Sequence, residues 1–107
     1  MEKNKDIYGL LGLARRAGKI SFGTESSIDV IERRKAKLVI LAKDSSERTK
    51  NNFKRICKTN NVQIREVGTI EDLSKSIGQV NKAVIVVRDE NFAKEIIKRI
   101  DGGEIIG

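Results

Sequence analysis

The sequence has 107 residues, 38% of them hydrophobic and 35% charged, which is the balance of a single folded domain rather than of a disordered chain. It contains no His and one Cys, which excludes an imidazole base, a Ser-His-Asp triad, a cysteine-cluster zinc site and an intramolecular disulfide. A net charge of +7, from 22 Lys and Arg against 15 Asp and Glu, favours a polyanionic partner, nucleic acid before an acidic membrane surface.

The basic residues are concentrated in the first part of the chain. Residues 1–58 carry 15 Lys and Arg against seven acidic residues, whereas residues 59–107 carry seven against eight. We therefore expect the first part to supply a basic face. The N-terminal stretch lacks a small-residue cleavage site, and no apolar run approaches the roughly 18 residues of a membrane span. These features predict a cytosolic protein that contacts no membrane.

The first part of the chain predicts two helices and two strands in alternation. Apolar residues within 7–14 are spaced i, i+3, i+4, i+7, as on one face of a helix, and Gly18 ends that helix. A short strand follows at residues 19–22, and then Gly23 and Thr24 open a second helix with the threonine as its N-cap. Residues 38–42 form a continuous apolar run, the pattern of a strand covered on both faces.

The remainder predicts three further helices and two strands. Asp44 and Glu47 have the spacing of a capping box for the third helix, on which Cys57 falls beside an apolar residue as a buried thiol. Thr69 and Asp72 cap a short fourth helix. The other predicted elements are a strand within residues 62–67, a buried strand at residues 83–87 and a last helix with an apolar stripe from residue 92 to residue 100.

The order of these elements predicts the fold class. Helices alternate with strands and two strands are wholly apolar, so we predict an α/β fold in which a central sheet lies between helices. No linker, internal repeat or low-complexity segment divides the chain, so residues 1–107 are expected to form a single domain. Glycines at positions 102, 103 and 107 predict a frayed tail over residues 102–107.

Five segments of the chain resemble one known family when they are taken in order. They are Leu10–Lys19, Phe22–Thr24, Ala36–Ala42, Leu73–Gly78 and Asp89–Ala93. The chain is thereby similar to the kink-turn-binding ribosomal protein superfamily of the large subunit, and within it to small bacterial members. The resemblance implies a three-layer α/β/α sandwich with a central mixed four-stranded sheet. It also implies a monomer without cofactor or metal that binds structured RNA, ribosomal or kink-turn-like, with the ribosome as a further partner.

The RNA motif of this family reads Gly-Thr-Asn-Glu-x-x-Lys at the start of the second helix. Gly23 and Thr24 match its first two positions. Glu25, Ser26 and Asp29 stand where the family has Asn, Glu and Lys. These departures replace two residues that read base edges and reverse one charge.

The same turn has a physical role that does not depend on the resemblance. A glycine at a strand-to-helix junction lets the backbone approach a ligand closely, and the first turn of the helix presents free N–H groups to phosphate or base acceptors. Thr24 is either part of that contact or only the cap of the helix. Lys19 and Lys43 each border a strand, and we expect them to flank the same edge of the sheet, either against RNA or as solvated charges.

A second contact is predicted at the end of the fourth helix. In the family, the loop after this helix places apolar side chains and backbone against a flipped-out base, and Ile77 and Gly78 occupy that position. Alternatively, Ile77 is a core residue and Gly78 only ends the helix. The full set of predicted RNA contacts is Lys19, Gly23, Thr24, Glu25, Ser26, Lys43, Lys75, Ile77 and Gly78, with Arg15 and Arg16 as further phosphate contacts.

These features favour a non-catalytic RNA-binding protein over two alternatives. One Tyr, three Phe and no Trp offer few stacking platforms, which favours recognition of structured RNA by shape and phosphate contacts. An enzyme would use Asp44 and Asp89, which follow buried strands and would hold Mg²⁺ for phosphoryl chemistry, unless both are helix N-caps. The other alternative is a protein-interaction adaptor on the same fold.

Overall fold

The structure is a computed structural model that describes the backbone of residues 5–106 and the side chains of residues 7–102. Within these residues the helices are α1 (Lys5–Arg16), α2 (Thr24–Glu32), α3 (Glu47–Asn60), α4 (Ile70–Ser76) and α5 (Glu90–Ile106). The strands are β1 (Ile20–Phe22), β2 (Leu38–Leu41), β3 (Ile64–Glu66) and β4 (Val84–Val87). The predicted order of helices and strands is confirmed.

The strands form one mixed sheet in the order β1-β4-β2-β3. Strand β4 runs antiparallel to both of its neighbours, β1 and β2, whereas β3 runs parallel to β2. In this register Val87 of β4 lies opposite Ile20 of β1 on one side and Leu38 of β2 on the other. The mixed four-stranded sheet that the resemblance implies is therefore confirmed.

The sheet has two ends that carry different connecting segments. Strands β1, β2 and β3 finish at the end where β4 begins, which we call the Gly23 end because Gly23 follows β1 there. The opposite end, where these three strands begin and β4 finishes, is the Lys19 end, because Lys19 precedes β1. Each end brings together segments that are far apart in sequence.

Helices cover both faces of the sheet, and each face has its own apolar core. Helices α1, α4 and α5 pack on one face around fully buried residues such as Leu11, Leu73 and Ile96. Helices α2 and α3 pack on the other face around Ile31 and Phe53. Strands β2 and β4 are buried along their whole length, as their apolar runs predict. Because burial of one such side chain contributes about 1.5–3 kcal/mol, the hydrophobic pattern drives the chain into this α/β/α sandwich.

The start of α3 differs from the prediction. Its N-cap is Ser46, whose Oγ accepts a hydrogen bond from the Thr49 N–H at 3.1 Å. The predicted capping box that begins at Asp44 is therefore wrong. The reason is a tight turn between β2 and α3, closed by a hydrogen bond from the Ser45 N–H to the Ala42 carbonyl at 3.1 Å, which delays the helix.

Other local predictions can be compared directly with the structure. Thr69 caps α4, as predicted, because its Oγ1 accepts a hydrogen bond from the Asp72 N–H at 3.0 Å. Cys57 is buried in α3, as predicted, and burial raises the pKa of its thiol to about 11. Helix α5 continues to Ile106, so the backbone is helical where the sequence predicts a frayed tail, while residue 107 lies outside the described residues. No helix within the described residues is long and apolar enough to cross a membrane.

Candidate functional site

The turn between β1 and α2 is held in a conformation that favours glycine almost exclusively. Gly23 has φ 87° and ψ 161°, a region essentially closed to residues with a Cβ. Its N–H donates to the Val84 carbonyl at 3.1 Å, which ties the turn to the start of β4. A Cβ on this glycine would meet no atom within 4 Å. The requirement for glycine therefore comes from the backbone, and the space around the turn is open.

Helix α2 begins without a side-chain cap, unlike the helices that follow it. The helix starts at Thr24, its N-cap is Gly23, and no side chain of the described residues accepts a hydrogen bond there, so the predicted N-cap role of Thr24 is wrong. By contrast, a serine, a threonine and an aspartate accept hydrogen bonds from the first turns of α3, α4 and α5. The first turn of α2 therefore presents backbone N–H groups to an external acceptor, beside the exposed side chains of Glu25 and Ser26.

The loop between α4 and β4, residues 77–83, is anchored at its base and apolar at its tip. The buried Ser74 hydroxyl accepts a hydrogen bond from the Lys82 N–H at 2.7 Å and donates one to the Lys82 carbonyl at 3.1 Å. Val80, which is not among the predicted contacts, is 81% exposed. Of the two predicted contacts, Gly78 ends α4 with φ 71°, but Ile77 is 3% exposed. Ile77 continues the inward stripe of α4 and is a core residue, as the alternative interpretation predicts, so its side chain is not exposed to a ligand.

A groove of about 530 Å³ lies between α4 and this loop. The residues that line it are Asp44, Ile70, Glu71, Ser74, Lys75, Gln79, Val80 and Asn81. Asp44 joins the β2–α3 loop to this groove, because its Oδ1 accepts a hydrogen bond from the Ile70 N–H at 2.8 Å. Lys75, a predicted contact, is exposed in the last turn of α4. Apolar side chains with nearby carboxylates and amides suit a flat aromatic ligand with N–H donors better than a phosphate.

Phe22 connects the end of α1, the Gly23 turn and the α4–β4 loop. The Arg15 Cζ lies 5.3 Å from the centroid of its ring, and the Lys82 Nζ lies 5.7 Å from the same centroid. Both distances are within the range of cation–π attraction. The Arg15 Nε is buried without a hydrogen-bond partner among the described residues, whereas the side chain of Arg16 is exposed. The sequence does not identify Lys82, because nothing in it pairs that residue with Phe22.

The two lysines predicted to flank one edge lie at opposite ends of the sheet. Lys43 follows β2 at the Gly23 end, where its N–H donates to the Gly68 carbonyl at 2.9 Å. Lys19 precedes β1 at the Lys19 end, where its carbonyl accepts a hydrogen bond from the Arg88 N–H at 2.8 Å. The prediction is wrong because β1 and β2 run in the same direction on either side of β4, so a residue before one and a residue after the other cannot meet.

The two carboxylates of the enzyme alternative are separated for the same reason. Asp44 lies at the Gly23 end on the Ile70 N–H, and Asp89 lies at the Lys19 end, where its Oδ2 accepts a hydrogen bond from the Phe92 N–H at 2.9 Å. Each carboxylate thus binds the backbone at the start of a helix. No group of three His, Cys, Asp or Glu side chains that would hold a metal ion occurs within the described residues.

Helix α3 contributes polar groups beside the start of α2. A hollow of about 310 Å³ is lined by Thr24, Arg48, Thr49, Asn52 and Phe53. Arg48 is exposed and brings a cation next to the uncapped turn, although its position in the sequence does not indicate this. Further along α2, Asp29 occupies the position of the family's Lys, and its Oδ1 accepts a hydrogen bond from the Arg33 Nε at 3.1 Å. Part of the negative charge of Asp29 is therefore compensated within the helix.

Sequence comparison relates the whole of this arrangement to known proteins. The profile of the ribosomal protein L7Ae/L30e/S12e/Gadd45 family matches residues 5–98. The chain is similar to the RNA-binding protein YlxQ of Bacillus subtilis (strain 168), with 35% identity over 94 residues that cover 88% of this chain and 94% of the relative. It is also similar to the RNA-binding protein YlxQ of Enterococcus faecium, with 38% identity over 93 residues, or 87% of this chain and 89% of the relative.

Solved structures share the fold over nearly the full length. A protein of unknown function from Bacillus halodurans C has a TM-score of 0.85 and 31% identity, over 88% of this chain and 95% of that one. The Giardia lamblia 15.5kD RNA binding protein has a TM-score of 0.79 and 19% identity, over 96% of this chain and 91% of that one. At that low identity, the second likeness concerns the fold alone.

Proposed function

The chain belongs to the ribosomal protein L7Ae/L30e/S12e/Gadd45 family, and from this premise we propose that it is a cytosolic, non-catalytic protein that binds structured RNA. We propose further that this RNA is ribosomal or kink-turn-like and that it contacts the Gly23 end of the sheet. Two bacterial relatives that align with most of the chain are named RNA-binding proteins, which supports RNA as the ligand. The net charge of +7 supports the same ligand class.

The observation that carries the proposal is the uncapped start of α2 behind Gly23. A helix start without a cap leaves backbone donors unsatisfied, and it is stable only where water or a ligand accepts their hydrogen bonds. Phosphate oxygens and base carbonyls are such acceptors. Because Gly23 has open space around it, the backbone of an RNA can approach these donors closely. Lys43 and Lys82 lie at the same end and supply positive charge for phosphate contacts.

The groove beside Val80 supports a base-binding role rather than a phosphate-binding role. An unstacked base has apolar faces and polar edges, and RNA loops and bends expose such bases. Val80 and Ile70 supply apolar surface to the groove, while Asp44 and Gln79 supply acceptors for amino groups on a base edge. Carboxylates would repel phosphates at this place, so the groove complements the α2 start instead of duplicating it.

The motif departures indicate that a consensus kink turn is not the best ligand. Glu25 and Asp29 place carboxylates near the first turn of α2, where a phosphate would approach. Repulsion between these carboxylates and a phosphate weakens contacts with the RNA backbone. In the absence of RNA, the dipole of α2 favours Glu25 at this position. We therefore propose that the natural RNA differs from a consensus kink turn near this helix.

Crosslinking in cells of the host, followed by sequencing of the recovered RNA, tests the proposed function. We expect strong enrichment of one structured element, and we expect Gly23→Ala to abolish that enrichment. The matched control is Gly9→Ala, which adds the same methyl group on an exposed position of α1 with no atom within 4 Å. Recovery of no RNA above background, together with a protein partner whose capture resists RNase, would favour the adaptor alternative instead.

A further inference from the structure

A row of basic residues lies at the Lys19 end of the sheet, whereas the proposed RNA site lies at the Gly23 end. Lys19, Arg88 and Lys37 stand directly outside the paired positions of β1, β4 and β2. The Lys37 N–H donates to the Val87 carbonyl at 2.8 Å, and the Arg88 N–H donates to the Lys19 carbonyl at 2.8 Å, so the backbone ladder continues into this row. Like charges on neighbouring strands repel one another, so the charges of this row do not themselves stabilise the pairing of the strands.

Arg88 is fixed in place, whereas the two lysines are free. The Arg88 Nε donates to the Ser21 Oγ at 3.0 Å, and its Nη2 donates to the Gly18 carbonyl at 2.7 Å. These bonds fasten the α1–β1 turn on which Lys19 is carried. Lys19 and Lys37 are exposed, and neither forms an ion pair with an acidic side chain that the structure describes.

The loop between α2 and β2 adds further exposed charge beside this row. Residues 33–35 are Arg, Arg and Lys, and all three are exposed. Arg34 has φ 61°, the left-handed conformation that glycine adopts without steric cost. An arginine at this position is therefore less favourable for the backbone than a glycine would be.

Helix dipoles account for some of these charges but not for all of them. Arg33 is the C-cap residue of α2, and the Lys19 N–H donates to the Ala14 carbonyl at 2.9 Å, so both residues lie at the C-terminal end of a helix, where cations are favoured. Lys37 directly precedes β2 and lies beyond the last turn of α2. The side chains of Lys19 and Lys37 are exposed, so a phosphate ligand can reach them.

We propose that the Lys19 end binds the phosphate backbone of a second RNA segment, distinct from the segment at the Gly23 end. This inference rests on the proposed function, because it takes RNA as the ligand. Lys19 and Lys37 are two strand spacings apart, about 10 Å, which lets each of them neutralise a different phosphate. An RNA that reaches both ends must extend well beyond the first site, so the second contact requires a longer RNA.

A salt series of anisotropy titrations with two RNAs tests this inference on the full chain. One RNA is a consensus kink turn with the shortest stems that pair, and the other carries one additional helical turn of duplex on each stem. The test variant is Lys19→Gln/Lys37→Gln. The control variant, Lys94→Gln/Lys98→Gln on α5, removes two exposed lysines elsewhere and lowers the net charge equally.

On the extended RNA, the test variant should bind about tenfold more weakly than the wild type, with a salt slope smaller by about two, because each phosphate contact contributes about one. On the short RNA it should bind like the control variant. Arg34→Gly should likewise weaken binding of the extended RNA about threefold, for the loss of one charge. Its thermal midpoint should stay the same or rise, because glycine fits the left-handed conformation, so a loss of affinity cannot be attributed to unfolding.

Several outcomes would overturn the inference in distinguishable ways. If the wild type binds neither RNA, the proposed kink-turn-like ligand is wrong, and the inference, which takes that ligand as its premise, fails with it. If the wild type binds the short RNA but test and control variants behave alike on the extended one, the inference alone fails. An equal loss on both RNAs would assign Lys19 and Lys37 to the first site. If the test variant loses binding to phosphatidylserine vesicles but binds both RNAs like the wild type, the row is assigned to a membrane surface instead.

Discussion

The two ends of the sheet differ in charge and in shape. The connecting segments at the Lys19 end, residues 17–19, 33–37, 61–63 and 88–89, contain six Lys and Arg and one Asp. Those at the Gly23 end, residues 23, 42–46, 67–69 and 77–83, contain two Lys and one Asp. Three helices begin at the Gly23 end, and each carries an acidic residue in its first turn, where the helix dipole favours it.

The end with the more elaborate shape is thus not the end with the higher charge. The Gly23 end has a constrained turn, an uncapped helix start and a groove, which are features that select a ligand by geometry. The Lys19 end has a row of cations, and in our proposal this row binds a phosphate backbone without reading its sequence. The net charge of the chain therefore does not indicate at which end of the sheet the constrained turn and the groove lie.

The largest effect is expected when the Gly23 turn is broken. Gly23→Ala should lower the free energy of unfolding by about 1–3 kcal/mol, because alanine is strained at φ 87° and ψ 161°. It should also weaken RNA binding more than tenfold, which corresponds to about 1.4 kcal/mol. Urea denaturation and anisotropy measure the two effects, and Gly9→Ala should raise stability by about 0.5–1 kcal/mol. Unchanged stability of Gly23→Ala would contradict the backbone conformation.

Two buried serines should respond to alanine with opposite signs. Ser74→Ala should cost roughly 1–3 kcal/mol, because it leaves the Lys82 N–H and carbonyl without their partner and releases the α4–β4 loop. Ser27→Ala should raise stability by about 1 kcal/mol, because its buried Oγ has no hydrogen-bond partner among the described residues and alanine favours a helix. Thermal denaturation of both variants decides this. A loss of stability in Ser27→Ala would mean that its hydroxyl is satisfied.

Restoring the family motif should sharpen the Gly23 end as a kink-turn site. Glu25→Asn, Ser26→Glu and Asp29→Lys together should tighten binding of a consensus kink turn at least tenfold, or about 1.4 kcal/mol. The gain arises because the change at position 29 replaces a repulsive carboxylate by a cation, although it also removes the ion pair between Asp29 and Arg33. Gel shifts at fixed salt and Mg²⁺ measure the effect. No gain would mean that RNA does not meet this face as the family motif implies.

The smallest effect concerns cations that are already engaged near the Gly23 end. Lys54 and Lys50 of α3 lie 3.0 and 3.6 Å from the Glu66 carboxylate. The hydrogen bond from Lys54 is the main reason that the pKa of Glu66 is lowered from its ordinary value of 4.5. The resulting stability is present above that value and is lost as the pH falls through the lowered pKa of the folded protein.

Because Glu66 and its two lysines are partly exposed, we expect their ion pairs to contribute less than about 1 kcal/mol to the free energy of unfolding. Comparison of the wild type with Glu66→Gln by urea denaturation between neutral and acidic pH measures it. The stability difference between the two proteins should shrink as the pH falls below 4.5. A difference that stays constant over that range would mean that the lysines do not stabilise the ionised Glu66.

Features that depend on neighbouring residues were predictable from the sequence. The apolar runs of β2 and β4, the Thr69 cap and the buried Cys57 each follow from a local pattern of polarity or hydrogen bonding. The capping box at Asp44 failed because a tight turn delays α3. Asp44, Ser45 and Ser46 are residue types that suit both a turn and an N-cap, so the sequence does not show which of them begins the helix.

Features that depend on strand pairing were not predictable in this way. The resemblance to a ribosomal protein family makes the Gly23 turn a candidate contact. The sequence does not show that β4 lies between β1 and β2, so it does not show that Lys19 and Lys43 lie at opposite ends of the sheet. Val80 and Lys82 were missed because their exposure and contacts depend on where Ser74 anchors the loop.

The sequence by itself determined the α/β class, the alternation of elements and the existence of a basic surplus, because burial and charge are properties of each residue. Only the tertiary structure decided which charges share a surface. Reversing one strand moves every residue at its tips from one end of the sheet to the other, while its hydrophobic pattern stays the same. The hydrophobic core is therefore compatible with several arrangements of the charges. The observed strand order places the constrained turn and the groove at the Gly23 end and the row of cations at the Lys19 end.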